Sequence, residues 1–368
     1  MLTKGDDYPI HQTADPIATS GTDRNFYDRY FFNGYLPGGD DFFAIAFGIY
    51  PHLNVADAHI SVLRNGVQTS LHASKTLHME RWDIVVGPIR IEIVEPLKVL
   101  RITVVETNGI SADLTFTGRA FPIEEPRFQL RNGPRTIMDV TRMTQNGSWS
   151  GWVSVDGKRT DYDPATAKGT RDRSWGVRPI GASDPQPVPP LKPPQFYWLW
   201  APTNFADQAL FFHVNDDALG RPWNTRAALV PDGTDRTALK DVEDCSFVPV
   251  YSKGARRIAT GLLTLKDEHG RVAEAQFETK AVFQMKGIGY THPEWGHGHY
   301  KGELAIARED WTVADLNPLD PTNLHIQAIS KVTLVDFDGI SHTGTGILEQ
   351  LLLGPHAPSG FKDILDPA

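Results

Sequence analysis

Residues 89–118 read IRIEIVEPLKVLRITVVETNGISADLTFTG, and this stretch decides the fold class. Ile89, Ile91 and Ile93 alternate with Arg90 and Glu92, and Leu100, Ile102 and Val104 alternate with Arg101 and Thr103. Leu114 and Phe116 then alternate with Asp113, Thr115 and Thr117. A period of two puts one set of side chains on each face of a strand. Asn108-Gly109 lies between the second and third runs, and this dipeptide accepts the positive φ of a tight hairpin turn. The pattern extends in both directions. Residues 59–63 and 67–71 flank Asn65-Gly66, and 42–50 (FFAIAFGIY) form a near-continuous apolar run, as in a strand buried on both faces or a short buried helix. Downstream, Asn146-Gly147 is predicted to turn the chain between 136–145 and 149–155, and strand signals recur to 343–353. The chain is therefore mainly β. Antiparallel meanders of this kind hide their edges by closing into barrels or stacking as sandwiches.

The 368 residues suffice for two domains of ordinary size. Residues 181–194 (GASDPQPVPPLKPP) hold six prolines, which cannot donate to a sheet ladder. This predicts an N-terminal barrel with a polar arm over 1–180, a linker over 181–195 and a C-terminal barrel over 196–368. Asp113–Ala120 lies over Glu274–Ala281 without a gap, each just after a turn dipeptide, a faint mark of internal duplication. The net charge of -9 with no basic stripe speaks against nucleic acid and anionic membrane as partners. A single cysteine, Cys245, precludes an internal disulfide. No apolar run is long enough to span a membrane and the N-terminus is polar, so the expected compartment is the cytoplasm. The common nucleotide, serine-hydrolase and zinc-protease signatures are absent.

Three stretches carry chemistry. In 169–179 (GTRDRSWGVRP), alternation places Arg171, Arg173 and Trp175 on one face and Asp172 and Ser174 on the other. Charges turned inward need either a mutual ion-pair network or a substrate. In 290–302 (YTHPEWGHGHYKG), His297 and His299 share a face if extended. They are read as hydrogen-bonded corner residues, as acid–base groups, or as metal ligands lacking a third partner. In 196–200 (FYWLW) with Phe211-Phe212-His213, aromatics form core or a pocket wall. The candidate catalytic residues are Asp172, Arg173, His297 and His299. Arg171, Trp175, Tyr197, Trp200, His213 and Trp295 are the candidate substrate contacts.

The motifs GTRDRSWGVRP and HPEWGHGHYKG, supported by 82–86, 95–97, 125–128 and 145–151, resemble a family of uncharacterised bacterial proteins. That family is related to the carotenoid 1,2-hydratase and AttH-like superfamily. The resemblance implies two consecutive lipocalin-like barrels and chemistry without cofactors on a buried hydrophobic substrate. The hydratases have a histidine where this chain has Arg173, and arginine does not release its proton. Carotenoid hydration is thereby disfavoured, and a lyase or isomerase step on a phenolic or terpenoid molecule is expected instead. A non-catalytic carrier of a hydrophobic ligand is the alternative. Whether the chain pairs as a homodimer is left open.

Overall fold

The computed structural model describes residues 2–19, 21, 23–39, 41–183, 186, 189, 193–233 and 239–368. Much of the predicted 181–195 linker therefore lies outside the described residues. Among the described residues the regular structure is β-strand with short 3-10 turns. No helix is long and apolar enough to cross a membrane.

Two antiparallel sheets repeat one connectivity. In the first, the main strands are Phe26–Tyr35, Asp41–Tyr50, Val55–Arg64, Val67–Thr76, Ile89–Glu95, Val99–Thr107, Ile110–Gly118, Arg135–Val155 and Lys168–Val177. In the second they are Phe196–Trp200, Gln208–Asp216, Pro222–Pro231, Lys240–Asp241, Asp244–Tyr251, Ile258–Lys266, Val272–Gln284, Ile326–Val335 and Ser341–Leu353. Numbered along the chain within each sheet, both sets take the spatial order 4-3-2-1-9-8-7-6-5. The first strand of each set pairs with the last. The aligned stretches Asp113–Ala120 and Glu274–Ala281 fall on the seventh strand of each set, after equivalent hairpins. The fold is thus two tandem lipocalin-like β units.

The sheets share chain, however. Strand Leu304–Thr312 lies C-terminal to the proline-rich segment, yet pairs with Val67–Thr76 at the edge of the first sheet. The Asn146-Gly147 turn does not form either, because both residues sit inside the single strand Arg135–Val155. Here the glycine serves close packing. A Cβ on Gly147 would meet the Phe116 ring at 2.2 Å.

In strand Asp41–Tyr50 alternation assigns the two faces to two different cores. Phe43, Ile45, Phe47 and Ile49 fill the first barrel with Leu114, Phe116 and Trp149. Phe42, Ala44 and Ala46 from the same strand face the second sheet and pack with Trp200, Phe211 and Phe283. The FFAIAFGIY run is therefore a strand buried on both faces. Tyr197, Leu199, Phe212 and Phe277 fill the second barrel. Side chains also tie the sheets together: Asn33 donates to Gln327 at 3.2 Å and Asn204 donates to the Tyr35 hydroxyl at 2.8 Å.

A shared core predicts joint unfolding. Phe283 is fully buried against Phe42, with ring centroids 4.9 Å apart. Phe283→Ala should cost about 3–5 kcal/mol and leave a single denaturant transition reported by both halves. Two separate transitions would contradict this packing.

Candidate functional site

The same alternation builds a cavity between the sheets. Strand Lys168–Val177 turns Asp172 and Ser174 toward the second sheet, and Phe196–Trp200 turns Phe196 and Trp198 toward the first. The space they enclose is about 190 Å³. Tyr27, Phe128, Trp198, Tyr290 and Leu351 form its apolar wall, and Asp172, Arg142, Arg178 and His325 its main polar groups. Such a wall with a few convergent polar groups is the usual make-up of a small-molecule site.

Most of the charge here is neutralised. Glu125 accepts from Arg142 Nε at 2.8 Å and from Trp200 Nε1 at 3.2 Å, and His213 Nδ1 lies 3.2 Å away. Burial works against its ionisation, but Arg142 and His213 hold its carboxyl well below the usual range. His325 Nε2 donates to Glu349 at 2.7 Å, and Gln327 donates to the other oxygen at 2.6 Å. With Nε2 donating to Glu349, Nδ1 is left as the ring's acceptor, and it has no hydrogen-bond partner among the described residues.

Two groups stand apart. The Asp172 side chain is half-buried and makes no hydrogen bond or ion pair among the described residues. Burial pushes its carboxyl up to about 6, against the pull of Arg142 and Arg29 and aided by the charges of Glu125 and Glu349. Arg178 has no carboxylate within ion-pair distance among the described residues. Its guanidinium lies 4.5 Å from the Tyr27 ring centre and donates to His297 Nδ1 at 3.0 Å. Tyr290 is flanked by Arg29 at 4.3 Å and Arg178 at 5.4 Å.

Of the four expected catalytic residues, only Asp172 reaches this cavity. Arg173 faces the other way, paired with Asp28, donating to the Arg29 carbonyl at 2.9 Å and covering the Tyr30 ring. His297 is buried behind Tyr290, its Nε2 donating to the Ile288 carbonyl at 2.8 Å. His299 lies outside the cavity, its carbonyl accepting from Ser74. Among the expected substrate contacts, Arg171 is buried on the first-barrel side against Gln145 at 2.7 Å, with Phe116 beneath. Trp175 is 41% exposed in a separate groove. Trp200 and His213 support Glu125 from behind, Tyr197 faces the second barrel, and Trp295 stacks on His72. Arg173 and Trp175 share the strand face turned away from this cavity, and His297 lies behind Tyr290, so the three do not meet in it. Tyr27, Arg178, Tyr290 and His325 were not among the expected site residues. Arg178 and Tyr290 stand inside the motifs already singled out, whereas Tyr27 and His325 carry no local signal.

The histidine-rich stretch ties the loop to the first sheet. His292 Nδ1 accepts from the amides of Glu294 and Trp295 at 3.0 and 2.8 Å, which leaves Nε2 to donate to Glu309 at 2.7 Å. The ligand atoms of His72, His292 and Glu309 all lie within 4.8 Å of one another. A metal on His292 Nε2 would, however, require deprotonation of a ring whose Nδ1 already accepts two hydrogen bonds. Gly298 N donates to buried Asp57 at 2.7 Å, closing the corner.

Known structures share this architecture. Kievitone hydratase from Nectria haematococca is 11% identical over 88% of each chain, with a TM-score of 0.56. An AttH protein from Nitrosomonas europaea is 14% identical over 94% of this chain and 99% of its own, with a TM-score of 0.52. CghA in complex with Sch210972 is 12% identical over 90% and 89%, also at 0.52. At these identities the likeness is one of fold. No curated protein matches the sequence. A family model covers residues 2–362, nearly the whole chain, and the chain belongs to that family, DUF8625, a family of unknown function.

Proposed function

We propose that this protein is a cofactor-independent lyase of the hydratase type, acting by acid–base chemistry on an apolar, phenolic small molecule. One observation carries the reading: the Asp172 carboxyl, unpaired among the described residues and pushed up to about 6 by burial, faces an aromatic-walled cavity that the Arg178 cation also lines. A general acid works best with a proton affinity near the working pH. Arg178 holds a phenolic oxygen. Asp172 protonates a side-chain double bond, and the faces of Trp198 and Tyr290 stabilise the carbocation by about 0.5–2 kcal/mol. His325 Nδ1, oriented through Glu349, takes a proton from the water that adds to the cation. His325 then releases that proton to solvent and Asp172 takes one up, so each turnover consumes one water and no net proton. The fold-level likeness to kievitone hydratase, a hydratase by name, is in keeping with this chemistry and does not by itself establish it.

Phenols bearing an alkenyl side chain are the substrates to test with purified protein. Asp172→Asn should lower hydration at least ~100-fold while ligand binding persists, and Arg178→Gln should act mainly on KM. In the wild type, kcat should fall as pH rises through about 6, where Asp172 loses its proton. Unchanged turnover in Asp172→Asn would contradict the assignment. Stoichiometric binding with no product from any such phenol would instead make the protein a carrier.

The same group predicts a stability effect of definite sign. Its folded affinity for a proton exceeds the ordinary value of 3.8, so folding is favoured while it is protonated and penalised once it ionises. The penalty is absent well below pH 4 and complete above about 6. Asp172→Asn should therefore raise the Tm near pH 8 and leave it little changed near pH 4. Equal effects at both pH values would count against a desolvated carboxyl.

A further inference from the structure

The second barrel holds a separate space of about 490 Å³, walled by Leu199, Phe212, Val214 and Phe247. Four hydrogen-bonded side chains line it, with the fixing carboxylate beside them. His356 Nε2 lies 3.3 Å from Asp216 Oδ2 and its Nδ1 lies 2.6 Å from Ser359 Oγ. The Tyr251 hydroxyl is 2.6 Å from the same Oγ, and the Tyr197 hydroxyl is 3.1 Å from Tyr251. The proton positions follow from chemistry. Asp216 can only accept, so it fixes the imidazole proton on Nε2 and leaves Nδ1 to accept from Ser359. Tyr251 then donates to Ser359, and Tyr197 to Tyr251. Tyr197 also stacks on the imidazole at 3.8 Å and 18°, holding its plane. His356 is buried, whereas Ser359 is half-buried and lines the open space.

A hydroxyl, an imidazole and a carboxylate in this order are the parts of an activated nucleophile. We propose that Ser359 is the nucleophile of an acyl-transfer site in the second barrel, taking small esters with an apolar acyl group. Ser359 Oγ forms a bond to the carbonyl carbon as its proton passes to His356 Nδ1. The ester C–O bond breaks, and the departing alkoxide takes that proton. Water then attacks the acyl-serine by the same route and releases the acid. Tyr251, freed from Oγ as the bond forms, donates to the carbonyl oxygen where negative charge develops.

The test uses p-nitrophenyl butyrate and a fluorophosphonate probe on the full chain. The wild type should release p-nitrophenol and carry the probe on Ser359, as mapped by peptide mass spectrometry. Ser359→Ala should abolish labelling, and Ser359→Ala and His356→Gln should each lower ester turnover by ~100-fold or more. Ser359→Cys, which keeps a nucleophile and the local packing, should still acylate. Asp172→Asn should leave ester turnover unchanged, which separates this site from the inter-sheet cavity. Absence of labelling, labelling elsewhere, or full turnover in Ser359→Ala would overturn the proposal.

Discussion

Charge buried between two apolar sheets must find a partner, and this constraint organises the inter-sheet space. Removing one member of a buried pair costs about 3–5 kcal/mol because the other is stranded. Glu125 accordingly collects Arg142, Trp200 and His213, and Glu349 collects His325 and Gln327. The Glu125 network straddles the seam: Glu125 and Arg142 come from the first unit, Trp200 and His213 from the second. The network thus fixes the position of one sheet on the other and sets the walls of the cavity. Among the charged groups that line the cavity, Asp172 and Arg178 have no oppositely charged partner among the described residues. An unmatched charge in an enclosed space lowers stability, and functional sites are where such a cost is tolerated.

Much of the fold was legible in the primary structure. Strict alternation over 89–118 marked strands with one buried face, and the continuous run 42–50 marked a strand buried on both. The gapless alignment of 113–120 with 274–281 reflected a real repeat of connectivity. One reading failed, and one pairing was not foreseen, each for a physical reason. Asn146-Gly147 looks like a turn, but the glycine is there to let the Phe116 ring approach. Nothing local to 304–312 indicates that this strand joins the first sheet, because edge pairing depends on a distant strand.

The site was legible only in part. The parity argument at 171–175 correctly set Asp172 and Ser174 apart from Arg171 and Arg173. The choice of residues then mixed the two faces, as it did with Tyr197 and Trp200 one strand further on. Applied consistently, the rule selects Asp172, Ser174, Phe196 and Trp198 together, the set that lines the cavity. Tyr27 and His325 could not have been found this way. They reach the cavity from strand Phe26–Tyr35, paired with the distant Lys168–Val177, and from the segment just before Ile326–Val335 in the second sheet. The other parity, Tyr197 and Leu199, leads instead into the second barrel and its serine–histidine–aspartate relay.

Catalysis in the inter-sheet cavity depends on the protonation state of one carboxyl. Infrared difference titration of the wild type against Asp172→Asn reads that state directly, through the protonated carboxyl stretch. The band should persist well above the ordinary carboxyl range and disappear with a midpoint near 6. A midpoint at the ordinary 3.8 would show that Asp172 is an ordinary solvated acid, and the cavity would lose its catalytic proton.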